Sequence, residues 1–212
     1  MPIRSKTQTG NFDGPAPWFG VQRASIQDFT DDSEKFGWAE VYLRVSLNVE
    51  GSKYPRDMKI NGSFEKDAEG NVVDCTLLRR INYLADALNW DGGVNAKGQW
   101  VDGSDEVIAD IGGYLTGKFG AVPFEDNDVF NFLVYIYPRQ GKDGKIYNEV
   151  YPRMMSFSPG NATELERYIN YLKTNGFLKE ADTTNTVPDP TNSTNGAMNG
   201  ASASGELTVD SL

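Results

Sequence analysis

The sequence predicts a mainly β protein, a five-stranded barrel with a helix between its third and fourth strands. Three observations carry this. Residues 41–49 alternate apolar and polar side chains without a break. A helical repeat at residues 77–88 follows three strand-like segments. Residues 128–157 read as a hairpin with Asp143-Gly144 near its tip.

The first strand falls in "WFGVQRASIQDF", residues 18–29, where alternation is moderate. The second lies in "WAEVYLRVSLNVE". There Val41, Leu43, Val45, Leu47 and Val49 take one face, and Tyr42, Arg44, Ser46 and Asn48 the other. The third, "RDMKINGSFEK", turns Met58, Ile60 and Phe64 inward. A helix follows, capped by Asp74 or Thr76, with Leu77, Leu78, Ile81, Leu84, Ala85 and Leu88 on its apolar face. It stops at "NWDGG", and a Gly-rich loop runs to about residue 105. "VIADIGGYLTGKFGAVPFE" then reads as a fourth strand region whose glycines permit a bulge or bend.

The hairpin pairs "DVFNFLVYIYPR" with "IYNEVYPRMMSF". Its outgoing strand puts Phe130, Phe132, Val134 and Ile136 on the core face and Tyr135 and Tyr137 on the other. On the return strand, Tyr147, Tyr151 and Arg153 share a face. A last helix, "ATELERYINYLKTNG", opens with the capping box Thr163-x-x-Glu166 and ends at Asn175-Gly176. Its face of Leu165, Tyr168, Ile169 and Leu172 packs on the barrel. Three strands, a helix and further strands is the order of an OB-fold. Residues 1–16 read as a flexible arm, 17–179 as the OB-fold-like domain, and 180–212 as a disordered acidic tail.

Composition narrows the chemistry. The chain has 212 residues, a formal charge of −10, one cysteine and no histidine. Without histidine there is no Ser-His-Asp triad, no Cys–His pair and no HExxH zinc helix. One cysteine forms no internal disulfide, and Cys75 reads as a core residue. No apolar run approaches the roughly 20 residues of a membrane helix, and no leader is visible, so a cytoplasmic protein is expected. The charge is uneven: residues 180–212 hold Glu180, Asp182, Asp189, Glu206 and Asp210 without a single base.

Tyr-Pro-Arg occurs at 54–56, 137–139 and 151–153, where random order predicts about 0.02 copies. Proline belongs at strand ends and edges, so each copy should set a ring and a guanidinium there. Such a pair offers a face to a base and a fork to a phosphate. The stacking candidates are Tyr54, Tyr135, Tyr137, Tyr147 and Tyr151. The phosphate candidates are Lys53, Arg56, Lys59, Arg139, Lys142, Lys145 and Arg153, with Lys97 and Lys118 in addition. Two acidic runs, Asp31-Asp32 with Glu34 and Glu125-Asp126 with Asp128, are expected to be solvated; a Mg²⁺ nuclease would use them. Trp18, Trp38, Trp90 and Trp100 read as packing residues.

"DGKIYNEVYPRMMSF" after an aromatic strand, the OB-like order and an acidic low-complexity tail resemble the single-stranded DNA-binding proteins of bacteriophages. The resemblance covers roughly residues 17–160 and the tail. It implies sequence-independent coating of single-stranded DNA in phage replication and recombination, with no catalysis, cofactor or metal. It also implies a tail that competes for the DNA groove or recruits replication and recombination proteins. Glu206, Asp210 and the carboxylate of Leu212 would do this, although the ending "GELTVDSL" is less acidic than the family's usual terminus and lacks its aromatic residue. The alternative is a β-barrel or sandwich interaction module of a virion or host-takeover protein, using the same tyrosines. A homodimer is compatible with either reading.

Overall fold

Residues 41–49 form a barrel strand whose inward side chains are almost fully buried, as their alternation predicts. The computed structural model describes residues 19–120 and 130–182. The arm, Trp18, the run Glu125–Asp128, and Glu206, Asp210 and Leu212 lie outside the described residues.

The strands are β1 (Gly20–Asp31), β2 (Val41–Val49), β3 (Arg56–Gly62), a small β4–β5 hairpin (Gly93–Val94 and Trp100–Val101), β6 (Phe132–Gln140), β7 (Ile146–Val150) and β8 (Met155–Ser156). The helices are α1 (Thr76–Leu88), α2 (Ile111–Phe119) and α3 (Pro159–Thr174). β1, β2, β3, β7 and β6 pair in that order, and β6 pairs back onto β1, closing a five-stranded barrel. Every barrel pairing is antiparallel except β3–β7, which is parallel and rests on the one pair Met58–Val150. This is an OB-fold-like barrel, with α1 between β3 and the later strands. β1 serves two neighbours, β6 through Gly20–Ala24 and β2 through Ala24–Asp31. A bulge between Ile26 and Asp28 supplies the bend.

Ala24, Leu43, Val45, Met58, Ile60, Val134 and Ile136 fill the barrel, and Leu77, Ile81 and Leu84 of α1 join the same core. The cap of α1 is Cys75 rather than Asp74 or Thr76, and no side chain bonds there. Asp74 instead accepts from Arg79 at 2.9 Å. Cys75 is buried, as expected.

The segment read as a fourth strand is corrected: residues 111–119 are helical. Asp110 caps the helix by accepting from the Gly113 N–H at 2.9 Å, and Ile111 and Leu115 bury one turn apart. Gly112 serves close approach, not a bend. A Cβ on Gly112 would come within 3.0 Å of the Asp31 nitrogen and 3.1 Å of the Phe29 carbonyl oxygen. Thr116 completes the seam, its Oγ1 accepting from the Phe29 N–H at 2.8 Å.

α3 begins a turn earlier than the Thr163 box. Ser158 is its cap, accepting from the Asn161 N–H at 3.1 Å, while Thr163 donates to the Pro159 carbonyl. The face predicted to pack does so. Leu165, Ile169 and Leu172 form a second core with Leu133, Tyr135, Tyr137 and Leu178, outside the barrel wall. The chain stays attached beyond residue 179. Glu180 pairs with Lys173 at 2.9 Å, and the Ala181 N–H donates to the Pro138 carbonyl at 2.8 Å. Among the described residues, no helix is long and apolar enough to cross a membrane.

Candidate nucleic-acid interface

Because β2 and β3 turn their apolar residues inward, the alternate positions make a polar outer face. The register sets Tyr42 opposite Asn61 and Arg44 opposite Lys59. Across the parallel seam, Tyr137 faces Glu149 and Arg139 faces Tyr147. A cleft of about 420 Å³ opens on this face. Trp38 and Tyr42 line one part, Asp57, Lys59 and Asn61 of β3 another, and Arg80, Tyr137, Arg139 and Glu149 the rest.

The aromatic wall begins before β2. Phe36 stacks on Tyr42 with centroids 4.1 Å apart, and Trp38 meets Tyr42 edge-on at 6.1 Å. Trp38 is 63% exposed, so the reading of this tryptophan as packing is corrected. Trp90, in contrast, is buried against Trp100 and Tyr114, as read. Burial holds Tyr42 above the ordinary tyrosine range, and nearby Asp32 adds to this.

The cations fall into two groups. Arg44 is held between Asp32 (3.1 Å) and Asp57 (3.6 Å), and Arg139 donates to Glu149 at 2.7 Å. Lys59 makes no hydrogen bond or ion pair with the described residues, although it lies directly opposite Arg44. Like charges facing across a strand pair are destabilising. Asp32 is buried and paired with Lys35 and Arg44, so the expectation of a solvated acid is corrected there. The Lys35 hydrogen bond, above all, holds its carboxyl below the usual range. Tyr137 donates to Glu149 at 3.3 Å, and burial, aided by that carboxylate, pushes its hydroxyl up to about 12.

The three Tyr-Pro-Arg copies occupy three different environments. In the first, Arg56 shares the inward parity of Met58 and Ile60 and is 1% exposed inside the barrel, out of reach of a solvent phosphate. Lys53 and Tyr54 sit on the β2–β3 loop, at the same barrel end as the β6–β7 turn. In the second copy, Pro138 and Arg139 lie within β6, not beyond it, and Tyr137 and Arg139 reach the cleft. In the third, Arg153 is sandwiched between Tyr83 and Tyr168, its guanidinium carbon 4.5 and 4.2 Å from their centroids, and it pairs with Glu164.

Tyr135 and Tyr151 are corrected as stacking rings, because α3 covers them. The Tyr135 hydroxyl accepts from Lys173 at 2.6 Å and donates to Glu180 at 2.7 Å. Tyr151 meets the Tyr168 hydroxyl at 3.3 Å. Lys142, Lys145 and Tyr147 belong to the hairpin beyond the cleft, where Tyr147 donates to Asp143 at 2.6 Å. Two cations are remote. Lys97, on the β4–β5 insert, bonds Asn71, and Lys118 lies in the last turn of α2, over the Tyr114 and Phe119 rings. The structure thus gathers Lys59, Tyr137 and Arg139 from the sequence candidates and adds Trp38, Tyr42, Asn61 and Arg80. The signal for Tyr42 was its place on the polar face of β2. Nothing in the sequence tied Arg80 of α1 to β3, where it donates to the Asn61 carbonyl at 3.2 Å.

Among the described residues, no group of three or more carboxylate or cysteine side chains is placed to hold a metal ion. Comparison with known proteins found no matching family model, no matching curated protein and no matching solved structure.

Proposed function

We propose that this protein binds single-stranded DNA along the outer face of its barrel, without catalysis. The observation that carries the reading is the exposed Trp38–Tyr42 wall beside the uncommitted Lys59 and the rim guanidinium of Arg139. Base–aromatic stacking supplies sequence-tolerant affinity, and basic side chains follow the phosphates. Four residues bear the main contacts in this reading: Trp38 and Tyr42 stack, while Lys59 and Arg139 take phosphates. Arg80, Lys142 and Lys145 extend the path.

The finer role, coating DNA during phage replication and recombination in an infected cell, rests on the resemblance to phage proteins. The attachment of Ala181 to Pro138 supports a competing tail. The chain leaves the barrel one residue from Arg139, and residues 183–212 contain acids but no bases. A protein-interaction module using the same tyrosines has less support, because Tyr135 and Tyr151 are occupied by α3.

Fluorescence anisotropy of a labelled 30-nucleotide oligo-dT at two salt concentrations tests the reading. Salt-sensitive binding that duplex DNA does not compete away supports it. No binding at low salt, by the full chain or by one ending at residue 182, ends it. If the shortened chain binds no tighter than the full one, the tail does not compete.

A further inference from the structure

We infer that the cleft reads one edge of the bound bases, favouring those with an exocyclic amino group and disfavouring thymine. The inference rests on the single-stranded DNA reading and adds a selectivity to it. Its basis is the pair of carboxylates set into the lining, Asp57 on β3 and Glu149 on β7. Besides the arginine each one pairs with, these two acids put negative charge in the lining, which repels phosphates. A bound strand must therefore keep its phosphates at the rim, near Lys59 and Arg139, and turn its bases toward the carboxylates.

Both acids are held in place. Glu149 accepts from Arg139 on Oε1 (2.7 Å) and from Tyr137 on Oε2 (3.3 Å), and Asp57 lies 3.6 Å from Arg44. Each carboxylate oxygen keeps a second acceptor position after those bonds. An acceptor-only group bonds the N4 amino group of cytosine, the standard pairing of Asp and Glu with bases. Thymine presents O4 at that position, which repels a carboxylate, and its single edge donor, N3–H, is flanked on both sides by carbonyl oxygens. The flanking rings Trp38 and Tyr42 stack either pyrimidine, so the difference falls on the edge alone.

The decisive comparison uses two 30-nucleotide homopolymers, one of 5-methyl-deoxycytidine and one of thymidine, at pH 8 and one salt concentration. The bases share the ring and the methyl group and differ in their hydrogen-bonding edge. The expected result is about tenfold tighter binding of the 5-methylcytosine strand, within the range one base-edge contact supplies. Glu149→Gln removes a charge and gives the side chain an amide donor. It should bind both strands more tightly and bring their affinities within about twofold. Asp57→Asn provides an independent second variant if the first loses its fold by circular dichroism.

Equal affinity of the wild-type protein for the two strands, or tighter binding of oligo-dT, overturns the edge reading while leaving DNA coating intact. So does a preference that survives in folded forms of both variants. Failure of both strands to bind at low salt overturns the edge reading together with the proposed function.

Discussion

Replacing Trp38 with alanine separates stacking from phosphate contact. The indole is 63% exposed and touches only the Phe36 and Tyr42 rings among the aromatic side chains, so its removal costs the fold little. Losing one stacked base costs about 1–3 kcal/mol, a weakening of roughly 5- to 150-fold. The phosphate contacts stay. If Lys59, Arg80, Arg139, Lys142 and Lys145 each neutralise one phosphate, log K falls with log salt at a slope of about −3.5, since each contact on a single strand contributes about 0.7. Raising salt from about 50 to 200 mM then weakens binding on the order of 100-fold. Trp38→Ala should lower affinity at every salt concentration and leave that slope unchanged. Lys59→Ala should reduce the slope by about 0.7. Anisotropy titrations of both variants across a salt series make the measurement. A Trp38→Ala protein that binds like the wild type, or one whose slope collapses with its affinity, refutes the placement of the strand on this face.

Arg153→Ala should destabilise by about 2–4 kcal/mol, from two cation–π contacts and one partly exposed ion pair, lowering Tm by roughly 5–15 °C in calorimetry. DNA affinity should not change, because this guanidinium faces tyrosines. Tyr137 should appear in an alkaline unfolding profile. Its folded value of about 12 exceeds the ordinary value of 10.0, so its contribution is complete below pH 10 and disappears as pH rises toward 12. Tyr137→Phe should flatten that part of the profile, read by chemical denaturation at several pH values. Asp32 has the opposite sign. Its carboxyl is lowered from 3.8, so its contribution is present above pH 4 and is lost as pH falls further. Asp32→Asn should be less stable than wild type at pH 7, with the gap closing toward pH 3. Gly112→Val should destabilise at all pH values by about 1–3 kcal/mol, because its side chain would press on the β1 backbone.

The barrel was legible where one physical constraint acted alone. β2 faces the core on one side and, through Tyr42, Arg44 and Ser46, a partly exposed polar surface on the other, so its two-residue period shows which apolar residues are inside, although Asn48 is buried as well. Phe64, α1 and the core face of β6 followed from the same logic. α2 was misread because two adjacent glycines suggest a bent strand, whereas Gly112 lets a helix touch β1, a contact some 80 residues away in the chain. The candidate site was half legible for a related reason. Alternation correctly put Tyr135 and Tyr137 on the outer side of β6, but it could not show that α3 would cover that side. Arg56 failed by parity: counted from Met58 it points inward, yet its charge and the neighbouring proline argued for a loop. Trp38 was missed because tryptophan is usually buried, and its exposure depends on how the β1–β2 turn sits over β3.

One seam of the barrel rests on a single residue pair, Met58 with Val150, between strands that run the same way. The rest of the wall is stitched by longer antiparallel ladders, so this seam is where amide protons should exchange with solvent first. The cleft lies across it, with Lys59 and Asn61 on one bank and Arg139 and Glu149 on the other. A ligand that grips both banks therefore acts as a suture. Its binding energy adds directly to the work of prying the two strands apart, and exchange at this seam would register occupancy before any change in the rest of the wall.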